Sequence, residues 1–274
     1  MTTAAPTSLD EQLRELQSRI KADASNSKLR VHLFQLLCVM GNWQRALAQL
    51  QLCAQLDPKA LAMAQTYREA IRNELFRAEV FAGRRAPQVM GQPPGWIGLL
   101  IEALKREATG SPDAASALRE KALDEAEPRA CRIDDSDCEW VADADSRLGP
   151  VCEVIANGQY YWLPFSACNA IRLEKPADLR DLVWAPAEIL LPNEGRVPAL
   201  IPSRYPGTEN DNSASADALR QSRQTLWLDR GNDVWHGLGQ RLWASDIGEH
   251  PILDTRSITF VDTPEFVKLD EKTD

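Results

Sequence analysis

An α+β fold with its helices first is what this chain predicts, and three observations predict it. Up to residue 128, apolar residues recur at helical spacing. From residue 129 on, short runs rich in Val, Ile, Tyr and Trp are broken by Pro, Gly and Asn. Between two of those runs stands Asn157-Gly158, a pair that readily supplies the two positive-φ residues of a type I′ hairpin turn. The expected architecture is an all-α, tetratricopeptide-like domain over 1–128, followed by a mainly antiparallel β-rich α/β domain over 129–274.

After a small, polar lead-in, Ser8-Leu9-Asp10-Glu11 has capping-box spacing, and Leu9, Leu13, Leu16 and Ile20 follow as one apolar stripe. A second helix is predicted from about Lys28, with Leu29, Leu33, Leu36, Leu37 and Met40 inward, stopping at Gly41. Gly41 to Pro58 has the layout of the second half of a tetratricopeptide repeat. Gly41 turns the chain, Trp43 opens the next helix, small Ala46 and Cys53 admit a neighbouring helix, Leu56 closes the face and Asp57-Pro58 ends it. The next helix does not keep the repeat period. Ala60, Ala64, Tyr67, Ile71, Leu75, Ala78 and Ala82 form its expected inward stripe, ending at Gly83. Pro93-Pro94-Gly95 breaks the chain before a helix with Trp96, Leu99, Leu100, Ala103 and Leu104 inward. Ser111-Pro112-Asp113 reads as an N-cap, a proline at the first helical position and an acid at the positive dipole end. The helix it starts turns Ala115, Leu118 and Ala122 inward, and Pro128 closes the helical half.

Cys131 to Asp145 carries Asp134, Asp135, Asp137, Glu139, Asp143 and Asp145 and reads as a solvated loop with local Asp–Arg pairing. Oxygen ligands suit Mg²⁺ or Ca²⁺, but Arg147 falls where a calcium loop needs a further oxygen. Val151–Ala156 and Gln159–Leu163 form the hairpin across Asn157-Gly158. Strands are then expected at Asn169–Glu174, Ala187–Leu191 and Val197–Ile201, with a turn or short helix at 176–183. Ser203–Asp217 reads as a polar, mobile loop. Leu226 and Leu228 alternate around Trp227, and Gly239–Ser245 pairs with Pro251–Val261 across 246–250. A charged tail follows Pro264.

The totals exclude several functions. A net charge of −9 lacks the basic face that phosphate binding needs, which argues against nucleic acid. No apolar run approaches the ~18 residues of a membrane span, and no export signal opens the chain, so a reduced cytoplasmic protein is expected. The six cysteines show no C-x-x-C pair and therefore no zinc pattern. The three His are scattered, no G-x-S-x-G presents a nucleophile, and Gly237-Leu238-Gly239 lacks the third glycine of a dinucleotide loop. The tryptophans after residue 139 fall mostly within strand-like runs, where core filling accounts for them. No catalytic residue, metal ligand or cofactor site is expected.

Six segments carry a family resemblance: LRVHLFQLLCVMGNWQRALAQL (29–50), MAQTYREAIRNELFRAEVFAGRR (63–85), WVADADSRLGPVCEVIANGQYYWLPF (140–165), DLRDLVWAPAEILL (178–191), SRYPG (203–207) and GLGQRLWASD (237–246). In this order the chain resembles the ImpE/TagJ family, accessory proteins of bacterial type VI secretion systems. The resemblance implies a non-catalytic cytoplasmic adaptor with a helical part followed by an α/β part. It also implies a partner: the small contractile-sheath subunit, held by a short segment near its N-terminus. Through that subunit, the resemblance further implies a link to the AAA+ ATPase that disassembles the sheath.

The resemblance places no binding residue. A helical-repeat layer offers a groove to an amphipathic helix, and interface anchors favour Tyr, Trp and Arg. On that basis the expected partner surface comprises Tyr67, Arg68, Arg84, Arg85 and Trp96, with a place in the core as the alternative reading of Tyr67 and Trp96. Two other readings stand beside the adaptor: a helical-repeat scaffold of another cytosolic complex, and a metal-dependent enzyme built on Asp134–Asp145.

Overall fold

The structure is a computed structural model that describes residues 7–261. The polar lead-in before Thr7 and the charged tail after Pro264 lie outside the described residues. The helical half holds α1 (Leu9–Ala22), α2 (Ser27–Val39), α3 (Trp43–Leu56) and α4 (Leu61–Phe81), then a two-residue strand β1 (Gln88–Val89), α5 (Gly95–Ala108) and α6 (Pro112–Glu125). Its starts and stops follow local chemistry. The Ser8–Glu11 capping box forms in both directions, and Leu9, Leu13, Leu16 and Ile20 are all buried. Asn26 caps α2 by accepting from the Leu29 N–H. Pro112 opens α6, whereas Ser111 makes no side-chain cap.

Gly41 performs the predicted turn at φ +71°, and a Cβ there would meet the Glu209 side chain at 2.2 Å. Ala46 and Cys53 are fully buried as the repeat layout requires, but Leu56 is 44 % exposed and closes nothing. Leu75, expected inward, is likewise 44 % exposed. In its place α4 buries Asn73, Glu74, Arg77 and Val80, because its second half packs against the sheet through polar groups.

The sheet half runs β2 (Cys131–Ile133), β3 (Ser136–Cys138), β4 (Val141–Asp143), β5 (Val151–Ala156), β6 (Gln159–Pro164), β7 (Ala170–Leu173), β8 (Trp184–Leu190) and β9 (Arg196–Pro202). After the short α7 (Ala216–Arg220) come β10 (Thr225–Asp229), β11 (Trp235–Gly239), β12 (Leu242–Ser245), β13 (Gly248–Pro251) and β14 (Ser257–Phe260). The main sheet has the order β1-β6-β5-β9-β8-β7-β14-β2-β3, antiparallel except where β1 joins β6. Small sheets β10-β11 and β13-β12-β4 flank it. The β5–β6 hairpin forms as expected, with φ 51° at Asn157 and 73° at Gly158.

Three expectations need correction. The acidic segment is not a solvated loop but contains β2, β3 and β4, and buries two of its acids. Ser203–Asp217 is not a free loop: Ser203, Arg204, Tyr205 and Thr208 are buried, and Arg204 Nη1 donates to the Val39 and Arg220 carbonyls at 2.6 and 2.7 Å. Pro251–Val261 is not one strand, since β13 pairs with β12 while β14 crosses to β2 and β7.

One hydrophobic core joins the halves. Leu36, Leu37, Ile71 and Trp96 from the helices pack with Val151, Ile155, Trp162 and Trp184 from the sheet. A second core lies on the sheet's other face around Cys152, Val154, Trp243 and Phe260. Strand β5 is therefore buried on both faces, and its alternation turns Val151, Glu153 and Ile155 toward the helices.

Candidate functional site

The five residues expected to form a partner surface lie at separate places in the structure. Tyr67 is a core residue, 8 % exposed, with its ring 5.8 Å from Phe34 and from Trp184, and the Arg180 guanidinium above it. Arg68 is half-buried beside it. Arg84 and Arg85 are exposed just past the far end of α4, about 25 Å along the helix from Tyr67 at 1.5 Å per residue. Arg84 is tied to Glu79 through two hydrogen bonds of 2.7 and 2.6 Å. Trp96 is 8 % exposed and packs in the shared core, with an edge lining a cleft described below.

What sequence reasoning missed lies between α4 and β5. Glu153 has no exposed surface, yet it accepts from Arg77 Nε at 2.6 Å and Arg77 Nη2 at 2.8 Å. It also accepts from Arg241 and from the Tyr160 hydroxyl. Arg241, fully buried too, bridges on to Asp143 and donates to the Pro202 carbonyl at 2.9 Å. Glu74 accepts from Arg77 at 3.3 Å and from the Trp184 indole at 2.9 Å. Two residues beyond the end of β4, Asp145 accepts from the Arg147 side chain at 2.8 and 2.5 Å and from the Gly237 N–H at 2.8 Å.

The electrostatics follow from this wiring. Burial alone would raise Glu153, but Arg77 and Arg241 outweigh it and hold the carboxyl at about 2. Asp145 is treated alike: burial opposes, and the Arg147 charge with the hydrogen bonds from Arg147 and Gly237 keeps it below the usual carboxylate range. Asp143 goes the other way. Burial, reinforced by Asp145 and Glu153, pushes it up to about 7 despite Arg241. His236 sits beside Glu107 on α5, and burial followed by the Arg147 charge lowers it to about 4.

The side chains of Asp143, Asp145 and Glu153 are buried and each is paired with a guanidinium group, although Asp143 and Asp145 also belong to the lining of the cleft described next. Asp134 holds the turn of β2–β3 by accepting the Arg256 and Ser257 N–H groups at 2.8 Å, and exposed Asp137 pairs with Arg132. The acidic segment is thus divided among separate structural duties. Among the described residues no cluster of His, Cys, Asp and Glu is arranged to hold a metal ion.

An open apolar cleft of about 650 Å³ lies between α6 and the sheet half. Trp96, Leu123, Trp140, Pro150 and Phe165 line it, together with the solvent-exposed Glu125 and Glu127. The furrow between the repeat-like helices is smaller, about 220 Å³, bounded by Val31, Cys53 and Ala60. No described helix is long and apolar enough to cross a membrane.

Comparison with known proteins places this architecture. The profile of the family described as "ImpE protein" matches residues 135–259. The Type VI secretion system accessory component TagJ of Pseudomonas aeruginosa is 49 % identical over 255 residues, covering 93 % of this chain and 88 % of that protein. The crystal structure of protein VPA1032 from Vibrio parahaemolyticus superposes with a TM-score of 0.83 at 25 % identity, covering 93 % and 94 % of the two chains. With half its residues shared with TagJ along nearly its whole length, and with the helices-then-sheet fold found again in the solved structure, the chain belongs to the ImpE family.

Proposed function

We propose that this protein is an accessory component of a type VI secretion system, working in the cytoplasm as a non-catalytic adaptor. It binds a short N-terminal segment of the small contractile-sheath subunit and so links the sheath to its AAA+ disassembly ATPase. The observation that carries the reading is the 49 % identity to an accessory component over 93 % of the chain. The geometry agrees with binding rather than turnover. Buried Glu153, Asp143 and Asp145 are matched to arginines, while an apolar cleft with tryptophan walls is open to solvent. The mechanism is tethering: one bound segment raises the local concentration of the next partner, and no bond is made or broken.

The test is a titration of the folded protein with a labelled synthetic peptide from the N-terminus of the sheath subunit. Binding at tens of micromolar or tighter is expected, and co-purification of the ATPase should depend on the sheath subunit. Absence of peptide binding by folded protein would sink the reading.

A further inference from the structure

We infer that the sheath segment docks in the cleft between α6 and the sheet half, and that it is a short apolar stretch flanked by basic residues. This rests on the adaptor reading above and adds the place and chemistry of the contact.

Three observations converge on that cleft. Its walls are aromatic and aliphatic: Trp96, Trp140, Phe165, Leu123 and Pro150. Tryptophan in a concave, largely desolvated setting is the side chain most enriched among binding anchors. Second, Leu123 offers exposed apolar surface in the cleft. It is 48 % exposed, and its Cδ2 lies against Gly149, 2.7 Å from where a Cβ there would stand.

Third, the cleft carries exposed acids, and they are available. Glu127 makes no ion pair among the described residues, and Glu125 has one long contact, 3.8 Å to exposed Lys121. The single lining cation, Arg129, is committed elsewhere. It donates to the Phe165 and Cys168 carbonyls at 2.9 and 2.6 Å and stacks 4.4 Å over the Phe260 ring. An apolar cleft with exposed carboxylates, one of them outside any ion pair among the described residues and the other in a single long one, selects an apolar segment carrying Lys or Arg at its ends. An acidic or neutral segment would gain nothing from those carboxylates.

The experiment is fluorescence anisotropy with the same labelled sheath-subunit peptide, on full-length wild type and four variants. Leu123→Arg and Trp140→Ala remove the apolar contacts. The double change Glu125→Lys with Glu127→Lys reverses the charge at two exposed sites and leaves the core untouched. Arg84→Ala with Arg85→Ala tests the exposed arginines past α4. Thermal melts confirm that each variant is folded.

We expect losses of about tenfold or more from each apolar change. The charge reversal should cost about two- to fivefold, an effect that shrinks as salt is added. The arginine pair should bind like wild type. If wild type binds while Leu123→Arg and the charge reversal stay within about twofold of it, the cleft assignment is overturned and the adaptor reading survives. If wild type does not bind, the adaptor reading falls and takes this inference with it. A self-associating wild type, made monomeric by Leu123→Arg with peptide affinity unchanged, would assign the cleft to a second copy and also overturn the inference.

Discussion

Replacing Glu153 by Gln tests the central structural claim, because the change keeps the shape and removes one charge. Glu153 is wholly buried and accepts from Arg77 twice, from Arg241 and from Tyr160. An amide in its place offers one acceptor oxygen and turns two N–H donors toward guanidinium groups that are donors themselves. Neither arginine is stranded completely. Arg77 keeps Glu74 and the Arg204 carbonyl, and Arg241 keeps Asp143 and the Pro202 carbonyl. The cost should therefore fall within the usual range for breaking a buried ion pair, about 3–5 kcal/mol. For a chain of this size that corresponds to a drop in melting temperature of roughly 10 °C. Urea denaturation followed by tryptophan fluorescence reads it directly, since Trp162, Trp184 and Trp243 have no exposed surface. Adding Arg77→Met to Glu153→Gln should cost less than the sum of the two single changes, because each removes the group that the other leaves unmatched. A Glu153→Gln protein within about 1 kcal/mol of wild type would refute the reasoning.

Two further predictions come from the same interior. Asp143, raised to about 7, stabilises the fold when protonated, so its contribution is full at low pH and is lost as pH climbs from about 4 through 7. His236, lowered to about 4, does the reverse: its contribution is lost as pH falls from about 6.5 through 4. The two slopes oppose, so Asp143→Asn should make the rise of melting temperature with pH up to about 6.5 steeper than in wild type. A flat Asp143→Asn profile would contradict the assignment. The other prediction is steric. At Gly237 an added Cβ would lie 2.2 Å from the Tyr205 ring, which is pinned because its hydroxyl donates to the Leu242 carbonyl and accepts the Leu242 N–H. Gly237→Ala should cost about 3 kcal/mol by urea midpoint, whereas Gly98→Ala in α5, with open space around it, should be neutral or stabilising.

Much of the fold was legible because its signals are local. The Ser8 capping box, the Gly41 turn into Trp43 and the Asn157-Gly158 hairpin each rest on residues a few positions apart, and each forms. The errors share the opposite cause. Leu75 looked inward by apolar spacing, but the second half of α4 faces Glu153, 76 residues from Arg77, so the polar side is the buried one. Asp143 looked solvated because its partner Arg241 is 98 residues away. Tyr67 and Trp96 could be read as core or as contact, because a large aromatic on a helix suits both; both are buried, and Trp96 also lines the cleft. One signal was available and unused. A lone glutamate inside the apolar strand Val151–Ala156 demands a buried cation, and Arg77 on a helix beside Glu74 and Phe81 is a natural supplier.

The network and the cleft are two faces of one stretch of chain. Between Trp140 and Pro164 the sequence first builds a cleft wall with Trp140, Val141 and Pro150, and then enters the interior with Glu153, Tyr160 and Trp162. Asp143 and Asp145 lie on the same turn as the wall, and Arg241 and Arg147 clamp them. A purely apolar junction could match the stability of these ion pairs, since buried charges recover little beyond their desolvation. What apolar packing supplies less well is a fixed register, because greasy faces slide while a bidentate guanidinium–carboxylate contact does not. On the adaptor reading, a wall held in place before the partner arrives reduces the ordering cost of capture. The buried arginines then matter to binding without touching the partner, by deciding where the wall of the cleft stands.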